Sequence, residues 1–182
     1  MAWTGSVMGK LILDLCAGSG AWSEPYRQAG YLVWRIDLPD DVRTIRWRPM
    51  LVHGVLAAPP CTVFAGSGAR WPRTPEQITE GLGIVDACLR AVAIYRPAWW
   101  ALENPVGTLR RWLGPPTMRF DPCDYGDPYT KRTLLWGSFN LPKPAGVLPT
   151  EGSKMHRLSS SHAAQRAVTP PGFAQAFFEG NP

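Results

Sequence analysis

The chain has 182 residues, 45% apolar and 18% charged, a balance that suits one folded domain with a real core and excludes an intrinsically disordered chain. Its net charge of +5 favours an anionic partner, most often nucleic acid. No stretch approaches the roughly 18 apolar residues of a membrane helix, and the opening "MAWTGSVMGK" lacks the apolar run of a secretory signal, so neither a membrane nor export is expected.

Along the chain, "KLILDLCAGSGAW" reads as a buried strand, Leu11–Leu15, that runs into a glycine-rich turn. "SEPYRQAG" follows as a short helix with Ser23 as N-cap and Gly30 as its stop. "YLVWRIDL" is a second strand ending at Asp37, "DDVRTI" a short third, and "VHGVLAAPP" a fourth, ended by its prolines. The longest helix signal is "TPEQITEGLGIVDACLRAVAIYR". Thr74 caps it, Pro75 suits its first position, and Ile78, Leu82, Val85, Leu89 and Val92 recur at helical spacing. "AWWALENP" and "TKRTLLWGSF" read as further strands, "LPKPAGVLPTEGSKMHRLSSSHAAQ" as loop, and "PPGFAQAFFEG" as a closing helix. Strand and helix alternate, which is the layout of a mostly parallel α/β sheet with helices on both faces and ligands at the carboxyl ends of its strands.

Four places carry chemistry. In "DLCAGSG", Gly18 and Gly20 let the backbone approach a ligand after the strand that holds Asp14. Asp37 ends the next strand, where an acid accepts hydrogen bonds from ribose hydroxyls, so the pair suits a nucleoside-bearing cofactor. A tight turn and a surface acid would look the same. In "PPC", two prolines set the backbone before Cys61, a nucleophile that needs little activation, and the loop "TVFAGSGARWPR" is pliant enough to close over a substrate. A small buried cysteine is the alternative, and it suits Cys16, Cys88 and Cys123. The four are scattered with no C-x-x-C pair, so no metal site is expected, and a reducing, cytoplasmic setting is. In "ALENP", Glu103 stands at a strand end facing the same crevice, where partial burial would raise its pKa and let it donate a proton. It would equally cap the turn that follows. In "DYGDPYTKRTLLWG", Lys131 and Arg132 lie near Tyr125 and Tyr129, cations beside aromatics that suit a phosphate and a base, or else a solvated basic turn.

Taken in order, "DLCAGSG", "PPC", "ENP" and "YGDPYTKRT" resemble the motifs of the DNA cytosine carbon-5 methyltransferases, and "PPGFAQAFFEGN" is similar to their C-terminal cofactor-side helix. The compact form resembles phage-type members. The resemblance implies a Rossmann-like fold dependent on S-adenosylmethionine (AdoMet), in one catalytic domain over residues 1–182. It implies that Cys61 adds to carbon 6 of a flipped-out cytosine in DNA while Glu103 holds or protonates ring nitrogen 3. The cofactor would be held by Asp14, Leu15, Cys16, Ala17, Gly18, Gly20, Asp37, Leu38, Asp41 and Pro59, with Asp37 on the ribose and Asp41 on the adenine amino group. Lys131 and Arg132 would take the target nucleotide or its phosphate.

The chain departs from the family pattern in three places. Cys16 stands where many members carry an aromatic residue. Tyr129, Lys131 and Thr133 fall where a glutamine and two arginines are usual, with Arg132 between them. The large recognition domain of sequence-reading members is replaced by a short irregular insert, 140–168, too short for its own core. That insert carries Lys143, Lys154, His156, Arg157, His162 and Arg166 for non-specific grip on a backbone. Weak or very short sequence preference follows, or a partner that supplies recognition, in the cytoplasm of a bacterial or phage-infected cell. The tryptophans of "VRTIRWRP" and "GARWPR" either stack on nucleotides or pack a core. The missing domain also keeps open a free pyrimidine nucleotide or single strand as substrate, or a non-catalytic binding relative.

Overall fold

A computed structural model describes residues 9–68, 70–153, 165 and 167–182. The strands are β1 (Leu11–Leu15), β2 (Leu32–Ile36), β3 (Val52–Ala57), β4 (Trp99–Pro105), β5 (Met118–Phe120) and β6 (Thr133–Ser138). The helices are α1 (Glu24–Gln28), α2 (Pro75–Tyr95), α3 (Arg110–Leu113) and α4 (Pro171–Gly180). The strands form one six-stranded sheet in the order β2-β1-β3-β4-β6-β5. The pairs from β2 to β4 are parallel, and β6 runs antiparallel to both its neighbours.

Alternation along the strands feeds two cores. Leu13, Leu15, Val55, Ala57, Leu102, Leu134 and Trp136 point to the face covered by α2. Ile12, Leu56, Trp99, Ala101 and Leu135 point to the other, where α1 and α4 contribute Tyr26, Phe173 and Phe177. Burial on both faces explains why β1 and β3 read as nearly unbroken apolar runs. Among the described residues, no helix is long and apolar enough to cross a membrane.

Helix α2 starts as its sequence predicts. Thr74 and Gln77 form a reciprocal capping box, with Gln77 N donating to Thr74 Oγ1 at 3.3 Å and Thr74 N to Gln77 Oε1 at 3.0 Å. Its buried line differs from the expected stripe. Only Val85 of that stripe is fully buried, and the others are Ala87, Cys88 and Ala91. These small side chains let the helix lie close on the sheet, and the larger Leu82, Leu89 and Val92 flank the contact.

Three further elements depart from the sequence reading. "DDVRTI" forms a turn rather than a strand, because Asp41 accepts from Arg43 N at 2.9 Å and Thr44 Oγ1 donates to Asp41 O at 3.0 Å. The sheet therefore ends at β2. Helix α3 and strand β5 were not expected; at four and three residues they are too short to show a period. In the insert, residues 140–153 hold no helix or strand. They are instead laced to 122–130 by backbone bonds such as Val147 N to Cys123 O at 2.8 Å and Thr130 N to Gly152 O at 2.9 Å. Lys143 is exposed, and Lys154, His156, Arg157, His162 and Arg166 lie outside the described residues.

Candidate functional site

The sheet changes direction between β1 and β3. From β1 the chain winds outward to β2, and β3 returns on the other side, which opens a crevice at their carboxyl ends. Register sets Leu15, Ala57 and Leu102 level across β1, β3 and β4. The predicted site residues extend from this common edge.

The β1 turn is built on left-handed backbone. Cys16, Gly18 and Gly20 have φ of 57°, 53° and 70°. At Cys16 this conformation is unusual for a side chain larger than glycine's. A Cβ on Gly18 would meet nothing within 4 Å, so that turn faces open space. Behind it, Asp14 is buried and accepts from Ser23 Oγ at 2.5 Å. Ser23 Oγ in turn accepts from Arg35 Nε at 3.0 Å, and Arg35 Nη2 donates to Gly20 O at 2.9 Å. Ser23 thus stands at the N-cap position of α1 while its hydroxyl serves Asp14, and it makes no side-chain cap bond. Asp14 braces the turn from beneath. Arg35 is a site-organising residue that the sequence reading missed, since nothing in the β2 pattern marks one strand arginine as a brace.

Burial drives the Asp14 carboxyl up from its ordinary 3.8 to about 6, against the lowering effects of Ser23 and Arg35. Its folded value lies above its unfolded one. The stability it contributes is therefore full below pH about 4 and is lost as pH rises through about 6, on the order of 3 kcal/mol. Asp14→Asn is expected to remove that slope from urea-unfolding free energies measured between pH about 4 and about 7. Parallel curves for the two proteins would contradict the assignment.

Of the other predicted cofactor residues, Leu15 is fully buried in the core, Cys16 and Ala17 are half-buried, and Leu38 is 84% exposed. Asp37 is exposed just past β2, and its carboxylate has no ion pair or side-chain hydrogen bond among the described residues. Asp41 differs: Arg43 Nη2 reaches its Oδ2 at 2.6 Å and Arg43 Nε its Oδ1 at 3.0 Å.

At the end of β3, Pro59 is buried and its carbonyl accepts from Asn104 Nδ2 at 2.9 Å. Asn104 is fully buried, so this bond ties the backbone of "PPC" to that of "ENP" away from water. Cys61 is half-buried two residues beyond Pro59, and Glu103 half-buried one residue before Asn104. The loop after Cys61, expected to be pliant from its glycines, is held by backbone bonds over its first residues. Phe64 N and Ala65 N donate to Cys61 O at 2.9 and 2.8 Å. Gly66 N donates to Val106 O, and Thr108 N to Phe64 O, both at 2.8 Å. With Phe64 buried, the loop is held against the segment after β4. A Cβ on Gly107 would lie 1.8 Å from Phe64 O, so the close approach requires glycine there.

Burial pushes the Glu103 carboxyl above its ordinary value, and the charge of Lys131 pulls it partly back. Lys131 is 7% exposed, just before β6 and beside the end of β4. Arg132 is exposed and pairs with Asp121, Nε to Oδ2 at 3.2 Å. The structure thus brings Asp37, Pro59, Cys61, Glu103 and Lys131 to one edge of the sheet and sets Arg132 at its outer end. The two tryptophans divide: Trp47 packs edge-on to Trp34 and Tyr95, and Trp71 is 60% exposed.

No family model matches the chain, and no curated protein matches it. Among solved structures, a protein provisionally designated a DNA modification methyltransferase, encoded within an E. coli prophage, superposes with a TM-score of 0.52 at 16% identity. The match covers 71% of this chain and 46% of that one, so this chain spans less than half of its neighbour's length. At that identity the likeness is one of fold, and the fold is a single α/β domain of the Rossmann-like methyltransferase kind.

Proposed function

We propose that this chain is an AdoMet-dependent methyltransferase that modifies carbon 5 of cytosine in DNA through a covalent adduct with Cys61. The observation that carries the reading is the buried Asn104–Pro59 hydrogen bond, which fixes the Cys61 strand end against the Glu103 strand end beside the crevice of the sheet.

The residues around β1 and β2 fit the cofactor. Gly18 faces open space, and Asp37 offers a carboxylate with no competing partner among the described residues, suited to ribose hydroxyls. Asp41 retains acceptor capacity for an adenine amino group only beside Arg43, so its part is the smaller one. AdoMet, when bound, supplies an electrophilic methyl group.

The chain's own residues prepare the base. Carbon 5 of cytosine is a weak nucleophile. The Cys61 thiolate adds to carbon 6, and the electron pair displaced from the carbon 5–carbon 6 bond makes the ring enamine-like. Glu103 donates a hydrogen bond or its proton to ring nitrogen 3, and its desolvation favours the protonated form this role needs. The charge of Lys131, close by, offsets part of that effect. After transfer, loss of the carbon 5 proton lets the ring expel Cys61. Base flipping brings the ring to these groups, at a cost that contacts to the strand offset. The irregular stretch 140–153 supplies no separate recognition core, which supports little or short sequence preference in the cytoplasm of a bacterial or phage-infected cell.

DNA containing 5-fluorocytosine tests this directly. Fluorine at carbon 5 blocks the last elimination, so incubation with AdoMet is expected to leave a denaturation-resistant protein–DNA adduct that peptide mapping locates at Cys61. A protein that binds AdoMet and DNA and forms no adduct would overturn the covalent reading.

A further inference from the structure

Among the described residues the exposed tryptophans are Trp71 and Trp112, at 60% and 44%. By contrast, Trp22, Trp99 and Trp136 are buried, and Trp34, Trp47 and Trp100 pack against a core. Both exposed rings belong to the catalytic edge of the sheet: Trp71 to the segment after Cys61, and Trp112 to α3, which follows the end of β4. Both are also tied to the Cys61 loop. Arg73 Nη1 donates to Trp71 O at 3.3 Å and Arg73 Nη2 to Thr62 O at 3.1 Å, which fastens the Trp71 backbone to the residue after Cys61. Trp112 packs edge-on to the buried Phe64, with ring centroids 5.8 Å apart.

A lone exposed tryptophan is ordinary on a protein surface. Here two share one rim beside the proposed nucleophile, in a field of one sign. The stretches 61–73 and 106–119 hold Arg70, Arg73, Arg110, Arg111 and Arg119 and no acidic residue. Arg70, Arg110 and Arg111 are exposed, with no ion pair among the described residues. The Arg70 guanidinium lies 5.4 Å from the centre of the Trp71 ring, and the exposure of that indole leaves surface for a second flat group. Flat apolar faces among free cations suit a chain of bases joined by phosphates. A duplex hides its base faces in the stack and shows only edges in its grooves, so an indole reaches a face there only by unstacking a step. An unpaired strand offers its faces freely.

We propose that this rim binds an unpaired DNA strand, with Trp71 and Trp112 each stacked on a base and Arg70, Arg110 and Arg111 on neighbouring phosphates. The inference rests on the DNA reading above and names the form of DNA that the site takes. Stacking accepts every base, so the strand is gripped without a recognition domain. A cytosine in such a strand has no pairing partner to leave, which lowers the cost of presenting its ring to Cys61 and Glu103.

Fluorescence anisotropy with one labelled cytosine-bearing sequence, as a single strand and as its duplex, tests this. The wild-type protein is expected to bind the single strand roughly tenfold or more tightly. Trp71→Ala and Trp112→Ala are each expected to weaken that binding about 5- to 100-fold at an unchanged salt slope, because a stacked ring releases no counterion. Trp71→Phe and Trp112→Phe should recover most of the loss. Arg110→Ala and Arg111→Ala should instead reduce the salt slope, by about 0.7 for each phosphate contact removed. Wild-type protein irradiated on a strand with 5-bromouracil on either side of the cytosine is expected to crosslink through peptides that hold Trp71 and Trp112. This reads the surface even where a variant fails to fold. Equal or tighter binding of the duplex, alanine variants that bind as wild type, or crosslinks confined to other segments would overturn the proposal. A single strand carrying 5-fluorocytosine separates it from the chemistry. An adduct at Cys61 without single-strand preference removes this surface and keeps the chemistry, and single-strand preference without an adduct does the reverse.

Discussion

Replacement of Cys61 by serine is expected to lower methyl transfer to cytosine by roughly 10⁴-fold or more, the scale of losing a nucleophile outright. A serine hydroxyl is un-ionised at neutral pH, whereas a thiol needs only modest help to reach its reactive anion. AdoMet affinity should hold, because Gly18 and Asp37 belong to the β1 and β2 ends and Cys61 to the β3 end. The fold should hold too. Cys61 sits on a turn closed by its own carbonyl, which accepts from Phe64 N and Ala65 N and does not depend on the side chain. Circular dichroism and calorimetric titration with AdoMet would establish both. Wild-type turnover in this variant would show that the adduct is not on the reaction path.

Glu103→Gln is expected to cost about 10²- to 10⁴-fold in turnover, the usual range for a general acid. The pH dependence gives the sharper signature. Burial holds the Glu103 carboxyl above its ordinary value, so its protonated form persists to higher pH than for an exposed glutamate. Activity that needs that proton is full at low pH and falls as pH rises through the raised value. The glutamine variant should lose this limb of the profile. The same linkage acts on stability with the same sign. Keeping a buried carboxylate ionised at neutral pH costs stability, so the neutral glutamine should make the protein at least as stable as wild type. Lower turnover with undiminished stability, read from kcat profiles and urea denaturation, is a pairing that a merely structural glutamate would not produce. Unchanged kcat and an unchanged pH limb would remove Glu103 from the chemistry.

Much of the architecture was legible in the sequence because its signals are local. The apolar runs of β1 and β3 required burial on both faces, and the Thr74–Pro75 start of α2 is a cap that a single turn of chain decides. "DLCAGSG" announced a turn, and its left-handed residues Gly18 and Gly20 stand where glycine is cheapest. Where these readings erred, the deciding contact lay elsewhere. The turn at 41–44 won over a strand because Asp41 found Arg43, and no neighbouring strand remained to pair with that segment. The α2 stripe shifted because close packing on the sheet favours alanine and cysteine over leucine.

The residue types of the candidate site, a thiol after two prolines and a glutamate at a strand end, are properties of the sequence alone. Their meeting is not. Pro59 and Asn104 are 45 residues apart, and only the parallel pairing of β3 with β4 makes one accept the other's hydrogen bond. Arg35 and Ser23 became braces for Asp14 for the same reason. Local propensity is set over a few residues of chain. The burial that shifts a carboxyl's proton affinity is set by whatever the completed sheet packs around it.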